Sequence, residues 1–232
     1  MKSYILHHDR DNADRLLCIV APEMYSPPQF TTTDPAWLDW LAEHHPFGTL
    51  VSQVEGAPFA SHLPVLYRRT DAGGVVLTGH WARQNAQWRE IETQRALFIY
   101  HGPHAYISPR WYTDPDKQVP TWNYIAAHVY GTVRIVEGGD ELEQIVASLA
   151  RRFEAGAAQP WQLSSEEPAN RTRLKNIVGF ELRSDSVQVK LKLNQNSPAA
   201  NVSGAIQGLR GTGSAEAADV AALMQKELER RS

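Results

Sequence analysis

One cysteine, Cys18, occurs in 232 residues. Without a second thiol the chain cannot close an internal disulfide, and a thiolate metal cluster is excluded. No apolar run approaches the ~18 residues needed to span a bilayer. The one apolar patch near the start, Leu16 to Ala21, follows Asp9, Asp11 and Asp14, not the basic start of a signal peptide. These absences predict a cytoplasmic protein with no membrane partner. Basic charge is not in excess either. Lys and Arg total 23 against 26 Asp and Glu, a net charge of −3, so the global electrostatic footprint of a nucleic-acid binder is missing. Also absent are a Walker loop, an H-E-x-x-H helix, a G-x-S-x-G elbow and a helix-turn-helix with a basic recognition helix. The glycines of "GLRGTGS" (208–214) follow no strand, so they read as a helix end and linker, not a dinucleotide loop.

What is present is ordinary globular material, 42% hydrophobic and 21% charged, enough for one large core. Residues 1–23 are polar, with His7 and His8, and read as an extension; 24–232 read as a single domain. Asp34 then Pro35 predicts a helix start that runs to Pro46. Strands are expected over 47–54 and 58–69 around a Glu55-Gly56 turn, with Pro64 at an edge or bulge, and over 75–80 and 96–102. A short helix is expected over 82–92. Residues 119–137 form the longest strand-like run. One face carries Trp122, Tyr124, Ala126, His128 and Tyr130; the other carries Asn123, Ile125, Ala127, Val129, Val133 and Ile135. Neither face is clearly wet, so both should be buried, one of them against a second subunit. Helices follow over 139–155, 168–176, about 199–209 and 215–230, with strand over 177–193. Closely spaced strands interrupted by short helices predict a mainly β (α+β) domain, an antiparallel β-barrel closed on itself with peripheral helices.

Four stretches could carry chemistry. In "TGHWARQN" a strand meets an expected helix N-terminus, and Thr78, His80, Arg83 and Asn85 are donors suited to a phosphate; ordinary capping is the plainer reading. In "ASHLP" Ser61 and His62 fall on opposite strand faces, and a lone histidine is more often structural. In "YHGPHAY" His101 and His104 flank Gly102-Pro103, which reads as a turn between strands and not as a metal pair. In "VQVKLKLNQN" Gln188, Lys190, Lys192 and Asn194 face one way. By base rate that is a solvated face; the rival reading turns it toward an anion or a partner subunit.

The ordered set "MYSPPQF" (24–30), "HPFGTLVS" (45–52), "ASHLP" (60–64), "GHWARQNAQW" (79–88), "GPHAYISPRWY" (102–112), "VPTWNYIAAHVYG" (119–131), "IVGFEL" (177–182) and "KLKLNQN" (190–196) resembles the PaiB-type family of FMN-binding negative transcriptional regulators. The resemblance implies an FMN-binding split β-barrel related to pyridoxamine phosphate oxidases and flavin reductases. It implies a homodimer with the flavin at the interface. By this resemblance Thr78, His80, Arg83 and Asn85 hold the phosphate. Ser61, His62 and Leu63 run along the ring, Trp122 and Asn123 contact it, and Lys190 with Gln195 closes the site, from the same or the other subunit. The implied role is flavin-dependent redox chemistry or flavin-responsive regulation, with DNA as a partner on the family's account alone. Two alternatives stay open: a haem-binding split barrel using His62, His80 or His128 as axial ligand, and a ligand-sensing regulator of DNA or partner binding without catalysis. No residue stands out as an acid or base.

Overall fold

Asp34 opens the first helix as its chemistry predicts. Its Oδ1 accepts from the Ala36 N–H at 3.0 Å, and α1 (Ala36–His44) then runs until Pro46 forbids more. The computed structural model describes residues 4–6, 18–20, 24–164 and 166–231. Strands β1 (Tyr4–Leu6) and β2 (Cys18–Val20) pair as a small sheet of their own. The rest of the expected extension, including His7, His8 and Leu16, lies outside the described residues. After the short β3 (Thr31–Thr32) and α1 come β4 (Phe47–Val54) and β5 (Ala57–Pro64). Glu55 (φ 52°) and Gly56 (φ 75°) turn between them, both left-handed as a two-residue hairpin requires.

The remaining strands are β6 (Leu66–Arg69), β7 (Val75–Ala82), β8 (Arg95–Ile107), β9 (Thr121–Val136) and β10 (Ile177–Lys192). Helices α2 (Gly139–Glu154) and α3 (Pro168–Leu174) precede β10; α4 (Ala199–Arg210) and α5 (Ala215–Glu229) follow it. The main sheet runs β5-β4-β8-β9-β10-β7-β6, antiparallel throughout, with β3 added on β10. Its inner face supplies Leu50, Phe98, Tyr100, Ile125, Ala127, Val129, Phe180 and Leu182 to one core, which α1, α4 and α5 complete. A smaller cluster, Val136, Leu142, Ile145 and Leu149, fixes α2 on the outside of β7 and β10. The fold is mainly β with peripheral helices, a split barrel.

Four expectations need correction. The barrel is not closed: β5 and β6, consecutive in the chain, are the two edges of the sheet. The run 58–69 breaks at Val65, where Pro64 has no N–H to give and the Val65 N–H goes to Pro46 O at 3.0 Å. The edges still touch, since a Cβ on Gly79 of β7 would lie 3.0 Å from Pro64 O. Residues 82–92 hold no α-helix, only 3-10 turns over Ala86–Arg89 and Ile91–Thr93. Gln87 overrides the helical pattern. It is fully buried, accepts from Trp81 Nε1 at 3.1 Å, and donates to Leu50 O and Ser52 Oγ at 3.0 and 3.1 Å. Finally, β8 runs straight through Gly102-Pro103, with a register shift between His101 and His104 instead of a turn. Pro103 lacks a ladder donor, and a bulge absorbs that.

Candidate functional site

The sheet register decides which predicted site residues can meet. Pairing places His62, Thr49, Ile99, His128 and Gln188 in one row across β5, β4, β8, β9 and β10. Registered partners share a face, and this is the outer one. Phe47 is 59% exposed there, while Tyr124, His128 and Tyr130 are half-buried. The alternation expected for β9 holds: Asn123, Ile125, Ala127 and Val129 are buried inside, and the aromatic and imidazole set lies outside. Within one chain the outer face is half-covered. His101 Nε2 lies 3.0 Å from Thr49 Oγ1 beside the row. Burial, then the His62 and His104 charges, holds the His101 pKa below the usual imidazole value; burial, then His101, does so for His128. Burial therefore favours the neutral form of His101 and of His128.

One group of predicted residues gathers at the seam where β5 meets β7. Ser61 points inward, 6% exposed, and its Oγ accepts from Asn85 Nδ2 at 2.8 Å. Asn85 Oδ1 in turn caps the 3-10 turn by accepting from Gln87 N at 2.9 Å. His62 is exposed on the outer face, and Leu63 packs against the core. Thr78 does not join them. It lines a cleft beneath α2 and registers with Glu181, whose carboxylate pairs with Arg183 at 2.6 Å. Arg68, Arg151 and Arg152 line the same cleft.

Arg83 extends back across the turn. Its Nε donates to Lys175 O at 2.8 Å and its Nη2 to Glu137 O and Ile177 O at 3.0 and 3.1 Å; Nη1 reaches Glu137 Oε2 at 3.2 Å. The guanidinium is thus spent on its own chain. His80, by contrast, has a buried Nδ1 without a hydrogen-bond partner among the described residues.

Burial alone lowers the His80 pKa from 6.5. The fold prefers neutral His80, whereas the unfolded chain takes a proton near pH 6.5. Its stabilising share is therefore complete above that pH and is lost as pH falls through the folded value, at up to about 1.4 kcal/mol per pH unit. His80→Phe is expected to flatten the fall of the urea midpoint between pH 7.5 and 5. Identical slopes for the two proteins would rule this out.

The second group lies at the far end of β9 and β10. Lys190 is only 6% exposed, donates to Tyr25 O at 2.7 Å, and sits 5.3 Å from the ring centres of both Tyr25 and Tyr124. Gln188 Oε1 accepts from Met24 N at 2.7 Å, and Lys192 donates to Trp122 O at 2.8 Å. The solvated face favoured for this strand is thus a lined, largely bonded one. Trp122 is 53% exposed, with its ring centre 6.0 Å from His104 and 6.1 Å from Tyr106. Asn123 is fully buried, its Nδ2 3.2 Å from Met224 Sδ and its Oδ1 unpartnered. Gln195 folds onto its own turn, accepting from Leu193 N and donating to Leu191 O, both at 2.7 Å. Tyr25 and Tyr124 were missed as Lys190 partners. Only the "MYSPPQF" motif marked the first, and nothing in its spacing pointed to β10.

Along the sheet His62 on β5 and Lys190 on β10 stand four strand steps apart, about 19 Å at the usual inter-strand spacing. Among the described residues no group of three or more His, Cys, Asp or Glu could hold a metal ion, and no helix is long and apolar enough to cross a membrane.

Comparison with known proteins agrees with this architecture. The family described as "Putative FMN-binding domain" matches residues 24–186. "Protease synthase and sporulation protein PAI 2" of Bacillus subtilis (strain 168) is 34% identical over 211 residues, covering 90% of this chain and 100% of that protein. Two solved structures share the fold. The FAD and haem binding protein from Mycobacterium smegmatis has a TM-score of 0.55 at 19% identity, over 70% of this chain and 73% of that one. The flavocytochrome Anf3 from Azotobacter vinelandii has a TM-score of 0.55 at 10% identity, over 70% and 69%.

Proposed function

Because the chain belongs to the "Putative FMN-binding domain" family, we propose that it is a cytoplasmic FMN-binding redox protein that works as a homodimer. The observation that carries the dimer is the 19 Å gap, which is about four strand spacings. A single flavin ring cannot touch His62 and Lys190 of one protomer. The half-covered outer face, with Tyr124, His128 and Tyr130, supplies a flat surface on which a second copy could close the gap.

The residues fit the cofactor unevenly. Ser61, His62, Leu63 and Asn85 at the seam form one half-site. Trp122 and Lys190 form the other, with Asn123 and Gln195 setting the backbone around them. Arg83 is a positioning residue in this reading, since its donors already hold three carbonyls. Thr78 contributes to the α2 cleft. FMN, when bound, supplies the one- and two-electron chemistry; the protein supplies position and polarity. Burial favours neutral His101 and His128, while Lys190, enclosed by two rings, places one positive charge farther along β10.

FMN titration of the purified chain should give saturable quenching of flavin fluorescence at one FMN per protomer, and the particle should weigh about two 26.0 kDa chains. A chain that ignores FMN would overturn the reading. A regulatory role has its own signature, DNA retention that weakens steeply with salt. The net charge of −3 does not favour it.

A further inference from the structure

A second cavity lies outside the set just described, touching it only at Trp122. It occupies about 440 Å³ between the ends of β8 and β9 and helices α4 and α5. That volume lies in the usual range for a small-molecule pocket. Its walls are aromatic. Tyr106, 46% exposed, and Trp122 meet edge to face, and Trp111 adds a third ring to the lining. Trp111 is held there by glycine: a Cβ on Gly208 would lie 2.2 Å from its ring, and one on Gly204 2.0 Å from its carbonyl oxygen. A rigid aromatic lining left open to solvent is not what core packing alone requires.

Charge distinguishes the two polar sides. Glu216 is committed, its carboxylate 2.8 Å from His104 Nδ1. Arg110 is not: among the described residues its guanidinium meets only Ser108 Oγ, at 3.5 Å, and no carboxylate. A planar, always-charged fork beside flat aromatic walls matches a planar anion held through two parallel N–H···O bonds.

We propose that this cavity binds a small planar aromatic carboxylate, its ring between Trp111 and Trp122 and its carboxylate on Arg110. The site shares Trp122 with the proposed flavin half-site, and binding measured without FMN keeps failure of this proposal distinct from failure of the FMN reading. The test uses the full chain, with and without FMN, and the probes indole-3-carboxylate and indole-3-carboxamide, read by calorimetry. The carboxylate should bind about ten-fold tighter than the neutral amide. Arg110→Gln should erase that preference while leaving the unfolding temperature and FMN affinity unchanged. Equal affinity for acid and amide in the native chain would overturn the proposal. So would a preference retained in Arg110→Gln, or tighter binding of benzylamine than benzoate, which would assign the cavity to Glu216.

Discussion

Arg83→Ala should lower the unfolding temperature by roughly 6–12 °C and weaken FMN and riboflavin by similar factors. The guanidinium joins three segments: the end of β9 through Glu137, the link into β10 through Lys175 and Ile177, and the turn that carries Asn85. Removing it strips donors from three carbonyl oxygens. Hydrogen bonds from a charged donor contribute about 1.5–3 kcal/mol each when sheltered. Here the side chain is 33% exposed and water can replace part of what is lost. The Glu137 carboxylate, 64% exposed, adds little. About 3 kcal/mol in all is reasonable, and for a chain of this size each kcal/mol moves the midpoint by about 2–4 °C. Flavin binding suffers because the turn moves, so the phosphate makes no difference to the loss. Arg83→Lys should not rescue, since one ammonium cannot reach three carbonyls in a fixed fork. If FMN lost more than about ten-fold over riboflavin, the guanidinium would be a phosphate ligand after all and the staple would be secondary.

That prediction departs from the phosphate-ligand role that the family resemblance implies for Arg83. The donors of "TGHWARQN" were legible as chemical types, but the helix expected beneath them was not there. A buried glutamine, Gln87, decided the matter through partners on β4 and β7 more than thirty residues away in the first case. No local pattern contains that information. Hairpin β4–β5, helix α1 and the two faces of β9 were legible because each follows from local spacing or turn chemistry. The open seam was not, because closure of a barrel depends on whether edge strands can exchange hydrogen bonds, and one proline with one diverted N–H settled that. The site was legible as a list and not as an arrangement. Lys190 looked like a residue on a wet strand face; its enclosure by Tyr25 and Tyr124 depends on a segment 165 residues away.

Mixing two defective variants should restore tight FMN binding. Asn85→Asp keeps the acceptor that caps the 3-10 turn and adds a negative charge at the seam. Like-charge contact with the phosphate should weaken FMN about a hundred-fold. Trp122→Ala removes a half-exposed ring from the other group with little cost to the core, and should weaken FMN at least about ten-fold. If each site takes its seam from one protomer and its Trp122 end from the other, a mixed dimer carries one doubly defective site and one intact site. Unfolding and refolding an equal mixture makes half of the dimers mixed, so about a quarter of all sites should regain native affinity. A site built within one protomer gives the opposite result, because every chain in the mixture then carries one defect and no tight site can form. The titration of the mixture thus separates the two arrangements by the presence or absence of a tight phase, and each variant alone supplies the baseline. The outcome turns on the geometry of one sheet: Trp122 opens β9 beside the end of β10, and Asn85 follows β7 beside the start of β10, so the two lie at opposite ends of that strand.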